Sequence, residues 1–149
     1  MSDHATWMAI ALEEARAGGS RGEVPVGAVV VCDGVPVARA HNRTRELADP
    51  TAHAEMLALR EAASQQGDFR LTDCVLYVTL EPCAMCAGAI VNSRVRQLVF
   101  AAHDPKAGMC GSLGNLVQDE RLNHRVAIES GVMAEQAGEL LREFFRAKR

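Results

Sequence analysis

The chain has 149 residues, 48% of them apolar and 23% charged, enough for a real hydrophobic core and close to the soluble globular average, which excludes wholesale disorder. A formal net charge of −3 argues against a general nucleic-acid binder, which carries a basic excess. The longest uninterrupted apolar stretch, Ala84 to Val91, is too short to span a bilayer.

The N-terminus, MSDHATWMAIALEEAR, carries acids and no basic n-region, so a cytoplasmic chain without a secretory signal is expected, folded as one domain over 1–149. Five cysteines, two of them in a Cys-x-x-Cys pair, point to a reducing compartment and to metal or redox chemistry, not to a disulfide framework.

In chain order, Asp3 to Ala17 place Met8, Leu12 and Ala15 at helical spacing, and Gly18-Gly19 is expected to stop that helix. Val26 to Cys32 is continuous and β-branched, as in a strand buried on both faces. Asp33-Gly34 turns it into Val35 to His41, and Pro36 predicts that this second strand lies at the sheet edge. A polar loop, Asn42 to Pro50, leads to a helix from about Ala52 to Gln66, with Thr51 as its expected N-cap. Cys74 to Thr79 reads as a strand, Cys83 to Asn92 as a short helix with Pro82 in its first turn, and Val95 to Ala102 as a strand. Asp104 to Asn123 is a glycine-containing loop region, and Val126 to Glu129 a short strand. Met133 to Arg146 closes the chain as a helix with Met133, Ala137, Leu140, Leu141 and Phe144 on its apolar stripe. This order implies an α/β fold with a mixed sheet and helices on its faces. Cys32 and Cys74 read as core thiols, and Cys110 as a small semi-buried side chain.

Two segments carry the chemistry: Thr51-Ala52-His53-Ala54-Glu55 and Leu80-Glu81-Pro82-Cys83-Ala84-Met85-Cys86. Residues three apart on a helix lie within about 60° of each other, so Cys83 and Cys86 share a face. A helix N-terminus there favours the thiolates that zinc requires. His53 and Glu55 are roughly 200° apart around a helix and converge only at its opening turn. One histidine and two cysteines make three ligands, the number of a catalytic zinc site that keeps a position for water. Zinc-bound water ionises near neutral pH and supplies hydroxide. Glu55 suits either a fourth ligand or a proton carrier, and hydrolysis of an aromatic amidine needs such a carrier. His-x-Glu followed by Pro-Cys-x-x-Cys is the known signature of zinc deaminases acting on bases.

Beyond that signature the chain resembles the bacterial tRNA-specific adenosine deaminase family. The resemblance rests on Glu23 to Ala28, His41-Asn42-Arg43, Asp49 to Glu55, Tyr77 to Ala89, Asp104 to Gly108, Gly111-Ser112, Asn123 to Val126 and Phe144-Phe145-Arg146. It implies a three-layer α/β/α cytidine-deaminase-like fold, with a mixed central sheet of about five strands and helices on both faces. It further implies one Zn2+ per subunit on His53, Cys83 and Cys86, with Glu55 as proton shuttle. The expected activity is conversion of adenosine to inosine at the wobble position of the arginine tRNA anticodon, by a homodimer. Asn42 would contact the flipped-out adenine beside the Ala54 backbone. Asp104, Lys106, Asn123, His124, Arg125, Phe145, Arg146 and Arg149 would face the anticodon loop. Thr44 stands where many relatives have proline, which is expected to loosen the loop after Asn42, and His103 stands where some have arginine. Without the resemblance, a strand-end turn former is the lesser reading of Asn42, and the basic C-terminus reads equally as a solvated helix end whose cations favour the helix dipole.

Overall fold

The computed structural model describes residues 3–148. Its elements are α1 (His4–Gly19), β1 (Gly27–Cys32), β2 (Val35–His41), α2 (Ala54–Gln66), β3 (Cys74–Leu80), α3 (Ala84–Ser93), β4 (Gln97–Ala102), a 3-10 turn (Leu116–Gln118), β5 (Ala127–Ser130) and α4 (Ala134–Ala147). The strands form one sheet in the order β2-β1-β3-β4-β5. β1 is antiparallel to both neighbours, whereas β3, β4 and β5 run parallel.

Side chains on successive strand residues point to opposite faces, and both faces of the central strands are buried. On one side Ala28, Val30, Leu76, Val78, Leu98 and Phe100 pack with Ala54, Ala58 and Ala62 of α2 and Ala87 and Ile90 of α3. On the other, Val29, Val31, Val75, Tyr77 and Val99 meet Met8, Ala11 and Leu12 of α1 and Ala137 of α4. The result is the α/β/α sandwich of the sequence reading. Alanines predominate where α2 meets the sheet, which lets the helix approach closely. Gly27 serves the same end at α1, where a Cβ would lie 1.9 Å from the Ala11 carbonyl oxygen.

β2 is the edge strand that Pro36 predicted, and its pairing with β1 slips at Val30/Val31, where the proline cannot donate to the ladder. Asp33 (φ 52°) and Gly34 (φ 75°) make the tight hairpin turn. Other expectations change. α1 runs on through Gly18-Gly19 and ends where the Ser20 N–H reaches the Arg16 carbonyl at 3.0 Å. The stripe of α4 is only partly covered. Ala137 alone is buried, Leu140 packs on the α1-side core, Leu141 reaches the opposite core, and Phe144 is half-buried against Phe145.

Cys32 and Cys74 are not free core thiols: they face each other across the antiparallel β1–β3 pair and are joined as a disulfide, with Cα atoms 4.2 Å apart. The register of two strands separated by 42 residues brings them together, which neither strand's own pattern could disclose.

Candidate active site

The site lies where β3 gives way to α3, at the carboxyl ends of the parallel strands, the usual position for ligands in sheets of this kind. α2 and α3 both begin there. Cys83 is the N-cap of α3 in extended conformation (ψ 179°), preceded by Pro82, which therefore stands just outside the helix and not in its first turn. Cys86 follows three residues on, buried on the same side. His53 is the N-cap of α2, also extended (ψ 152°). Thr51 is not the cap: its N–H and hydroxyl both donate to Asp49 Oδ1, at 2.8 and 2.7 Å, in a turn ahead of the helix. Hydrogen bonding to Thr51 holds the Asp49 carboxyl below its ordinary pKa.

His53 Nδ1 lies 3.6 Å from Cys83 Sγ and 3.4 Å from Cys86 Sγ. Two ligands of a tetrahedral zinc with ordinary Zn–N and Zn–S bonds stand about 3.5 Å apart, so the three donors fit that ion. Glu55 is not of this set, whose ligand atoms all lie within 4.8 Å of one another. The Cys83 thiol is held down to about 3, first by hydrogen bonding from Cys86 and then by His53. The Cys83 hydrogen bond raises His53, and the same partner, ahead of burial, raises Cys86. Glu55, in the first turn of α2 and 4% exposed, is pushed up to about 7 by burial, against the pull of its own N–H and of His53. A carboxyl at that value can accept and release a proton near neutral pH.

Asn42, just after β2, is held at both of its amide atoms. Its Oδ1 accepts the Ala54 N–H at 2.9 Å and its Nδ2 donates to the Val24 carbonyl at 3.1 Å. It thus supplies from a distant strand the cap that His53 does not give. Each amide atom retains a second hydrogen or lone pair.

Two loops flank the cluster, each wrapped on a buried carboxylate that sequence reasoning passed over. Glu23 accepts Thr44 Oγ1 at 3.4 Å, Arg45 N–H at 3.2 Å and Glu46 N–H at 2.9 Å, so Thr44 helps to fasten the loop it was expected to loosen. Glu81 gathers donors from residues 103–112, His103 among them. Burial raises its carboxyl, but the Ser112 hydroxyl and the main-chain N–H groups of Asp104, Ser112 and Cys110 outweigh burial and leave it below the usual range. The available signal was a glutamate in each case set beside a mainly apolar, strand-forming stretch, Val24 to Val31 or Val75 to Leu80.

The expected RNA-facing residues divide. Asp104 Oδ1 accepts the N–H groups of Lys106 and Ala107, leaving the Lys106 side chain exposed beside the cluster's loop. Asn123 and Arg125 are exposed, but His124 Nε2 is 2.9 Å from the Val95 carbonyl, at the turn into β4. That end of the sheet is about 20 Å of strand from Cys83, so His124 is not brought to the cluster of its own chain. Phe145 is 49% exposed and Arg146 is exposed. Arg149 lies outside the described residues. Cys110 is buried in the loop on Glu81, outside the three-donor set. A cleft of about 900 Å³ runs along the β2 edge and includes His41 and Arg43 but none of the three donors.

A helix-borne His/Cys/Cys set beside a buried glutamate, on an α/β/α sheet, is the arrangement of a deaminase. The profile of the MafB19-like deaminases matches residues 2–149, and the chain belongs to that family. It is 49% identical to the tRNA-specific adenosine deaminase of Bacillus subtilis (strain 168), over 100% of this chain and 92% of that one. The tRNA-specific adenosine deaminase of Agrobacterium fabrum is 47% identical, over 100% and 98%. Among solved structures, one from a study of A-to-I editing by tRNA:A34 deaminases at the wobble position superposes with a TM-score of 0.88 at 46% identity, covering 91% of this chain and 99% of that one. A guanine deaminase from Nitrosomonas europaea superposes at 0.82 with 28% identity, over 94% and 83%. No described helix is long and apolar enough to cross a membrane.

Proposed function

We propose that this chain is a cytoplasmic tRNA adenosine deaminase that converts the wobble adenosine of arginine tRNA to inosine, with zinc on His53, Cys83 and Cys86. The observation that carries the reading is the three-donor set at 3.4–3.6 Å beside a buried Glu55. Near 50% identity to tRNA-specific adenosine deaminases over the full chain supports the substrate.

A bound zinc ion would supply Lewis-acid activation of a water at neutral pH. The chain's own groups do the rest. Glu55 takes a proton from that water and delivers it to N1 of adenine, which makes C6 electrophilic. The hydroxyl added at C6 then yields its remaining proton to Glu55, which passes it to the departing amine, so adenosine and water become inosine and ammonia. Burial keeps this carboxyl near 7, able to hold the proton between the two transfers. The free lone pair and hydrogen of Asn42 face the base, and Lys106, Phe145 and Arg146 bind the loop that presents it. An unpaired anticodon base is already partly unstacked, which keeps extrusion inexpensive. A homodimer is part of this reading and is checked by light scattering of the purified protein.

The deciding test is inosine at the wobble position of an arginine tRNA incubated with zinc-loaded wild type and with Glu55→Ala. Inosine with wild type alone is expected. Inactivity on tRNA together with deamination of free guanine would move the protein to the other branch of its structural neighbours.

A further inference from the structure

The proposed chemistry leaves one costly feature without a use. Glu81 stands two residues before Cys83, its side chain wholly buried, and a charge out of water is unfavourable unless hydrogen bonds satisfy it. Every side-chain partner it has comes from one segment. Oε1 accepts the Asp104 N–H at 2.9 Å and the Ser112 hydroxyl, with His103 Nδ1 at 3.3 Å. Oε2 accepts the N–H groups of Cys110 at 3.1 Å and Ser112 at 2.9 Å. The main chain interlocks as well: Glu81 N–H donates to the Ala102 carbonyl at 2.8 Å, and Met109 N–H to the Pro82 carbonyl at 2.9 Å. Gly108 presses so close that a Cβ there would come 2.2 Å from the Glu81 carboxyl carbon.

We infer that Glu81 is a positioning residue: it fixes the 103–112 loop, and with it Asp104 and Lys106, in one register against Cys83, so that RNA meets the cluster at a set distance. The inference rests on the tRNA reading above. Its chemistry demands a carboxylate and not merely a polar group. Both oxygens receive main-chain N–H donors, so whichever way a glutamine is turned, its NH2 confronts one of them. Packing alone would be served better by an apolar side chain, whereas a saturated buried ion specifies one loop conformation. Because the loop carries substrate-facing groups and no member of the three-donor set, its loss should weaken binding and spare the chemical step.

The experiment compares wild type, Glu81→Gln and Gly108→Ala on an anticodon stem-loop, recording KM, kcat, zinc content and amide exchange. For Glu81→Gln we expect zinc retained, exchange at Cys110 and Ser112 faster by tenfold or more, KM raised about tenfold and kcat within about twofold. Gly108→Ala should reproduce the KM rise, and the double variant should be no worse than the poorer single one, since both act on one contact. A KM within about twofold of wild type, zinc and kcat lost together at unchanged KM, or full additivity of the two changes would each overturn the inference. Should Glu81→Gln not fold, Ser112→Ala removes one donor only and should raise KM about threefold; an unchanged KM would overturn it equally. A wild type inactive on the stem-loop would overturn the tRNA reading instead, and the exchange data would still decide whether Glu81 holds the loop.

Discussion

The N-termini of α2 and α3 are alike in design and different in support. Each opens on an extended N-cap residue whose side chain makes no cap hydrogen bond, His53 in one and Cys83 in the other. Those are positions where serine, threonine or aspartate ordinarily satisfies an orphan N–H. Here both side chains turn toward a common point, so helix stability is surrendered for ligand geometry. α2 recovers it from outside, through Asn42 Oδ1 on the Ala54 N–H. Among the described residues α3 has no such donated cap; its approach is held by the main chain, with the Pro82 carbonyl accepting the Met109 N–H. The lesson is that a ligand placed at an N-cap gives up that residue's capping, which α2 regains from another part of the fold and α3 does not.

The hardest blow to this pair is Cys83→Ala. We expect zinc content to fall from one per chain to near zero, and deamination to the background rate; retained metal would show that the two helix ends do not share an ion. Glu55→Gln should keep zinc and the fold while lowering turnover by about 10² to 10⁴-fold, read as inosine formed per minute beside metal analysis. A loss of zinc in that variant would make Glu55 a ligand and α2 the donor of two.

A smaller effect separates the helices by their caps. Asn42→Ala should destabilise the protein by about 1–2 kcal/mol in urea unfolding, since it strands the Ala54 N–H and the Val24 carbonyl. Asn42→Asp, which keeps the acceptor and loses the donor, should recover part of that. Equal losses in the two would show that α2 does not depend on the borrowed cap. The smallest effect concerns the turn ahead of His53. The Asp49 carboxyl is lowered by Thr51, so its contribution is present above the ordinary aspartate range and disappears only as pH falls through the lowered pKa. An acid titration followed by NMR should place the Asp49 midpoint below that of an unfolded peptide, with Thr51 amide protection lost in step. A midpoint at the peptide value would leave the turn without an ionic component.

Much of this architecture was visible beforehand, because it is set by local pattern. Val26 to Cys32 read as a doubly buried strand, Asp33-Gly34 as the turn after it, and Pro36 as the mark of an edge strand. The spacing of Cys83 and Cys86 put them on one helix face. What escaped notice was non-local. Thr51 looked like a cap, yet the neighbouring Asp49 takes its hydroxyl, and the real partner of the α2 N-terminus comes from a residue twelve positions earlier.

By itself the sequence determined the α/β class and the strand and helix order, and it singled out His53, Cys83 and Cys86 as candidate donors, because each depends on residue type and local pattern. Tertiary structure alone decided how α2 and α3 meet, which carboxylates fasten the flanking loops, and that Cys32 and Cys74 pair. Those contacts join residues 12 to 42 positions apart, and only the packing of helices on a defined sheet register brings such groups within reach.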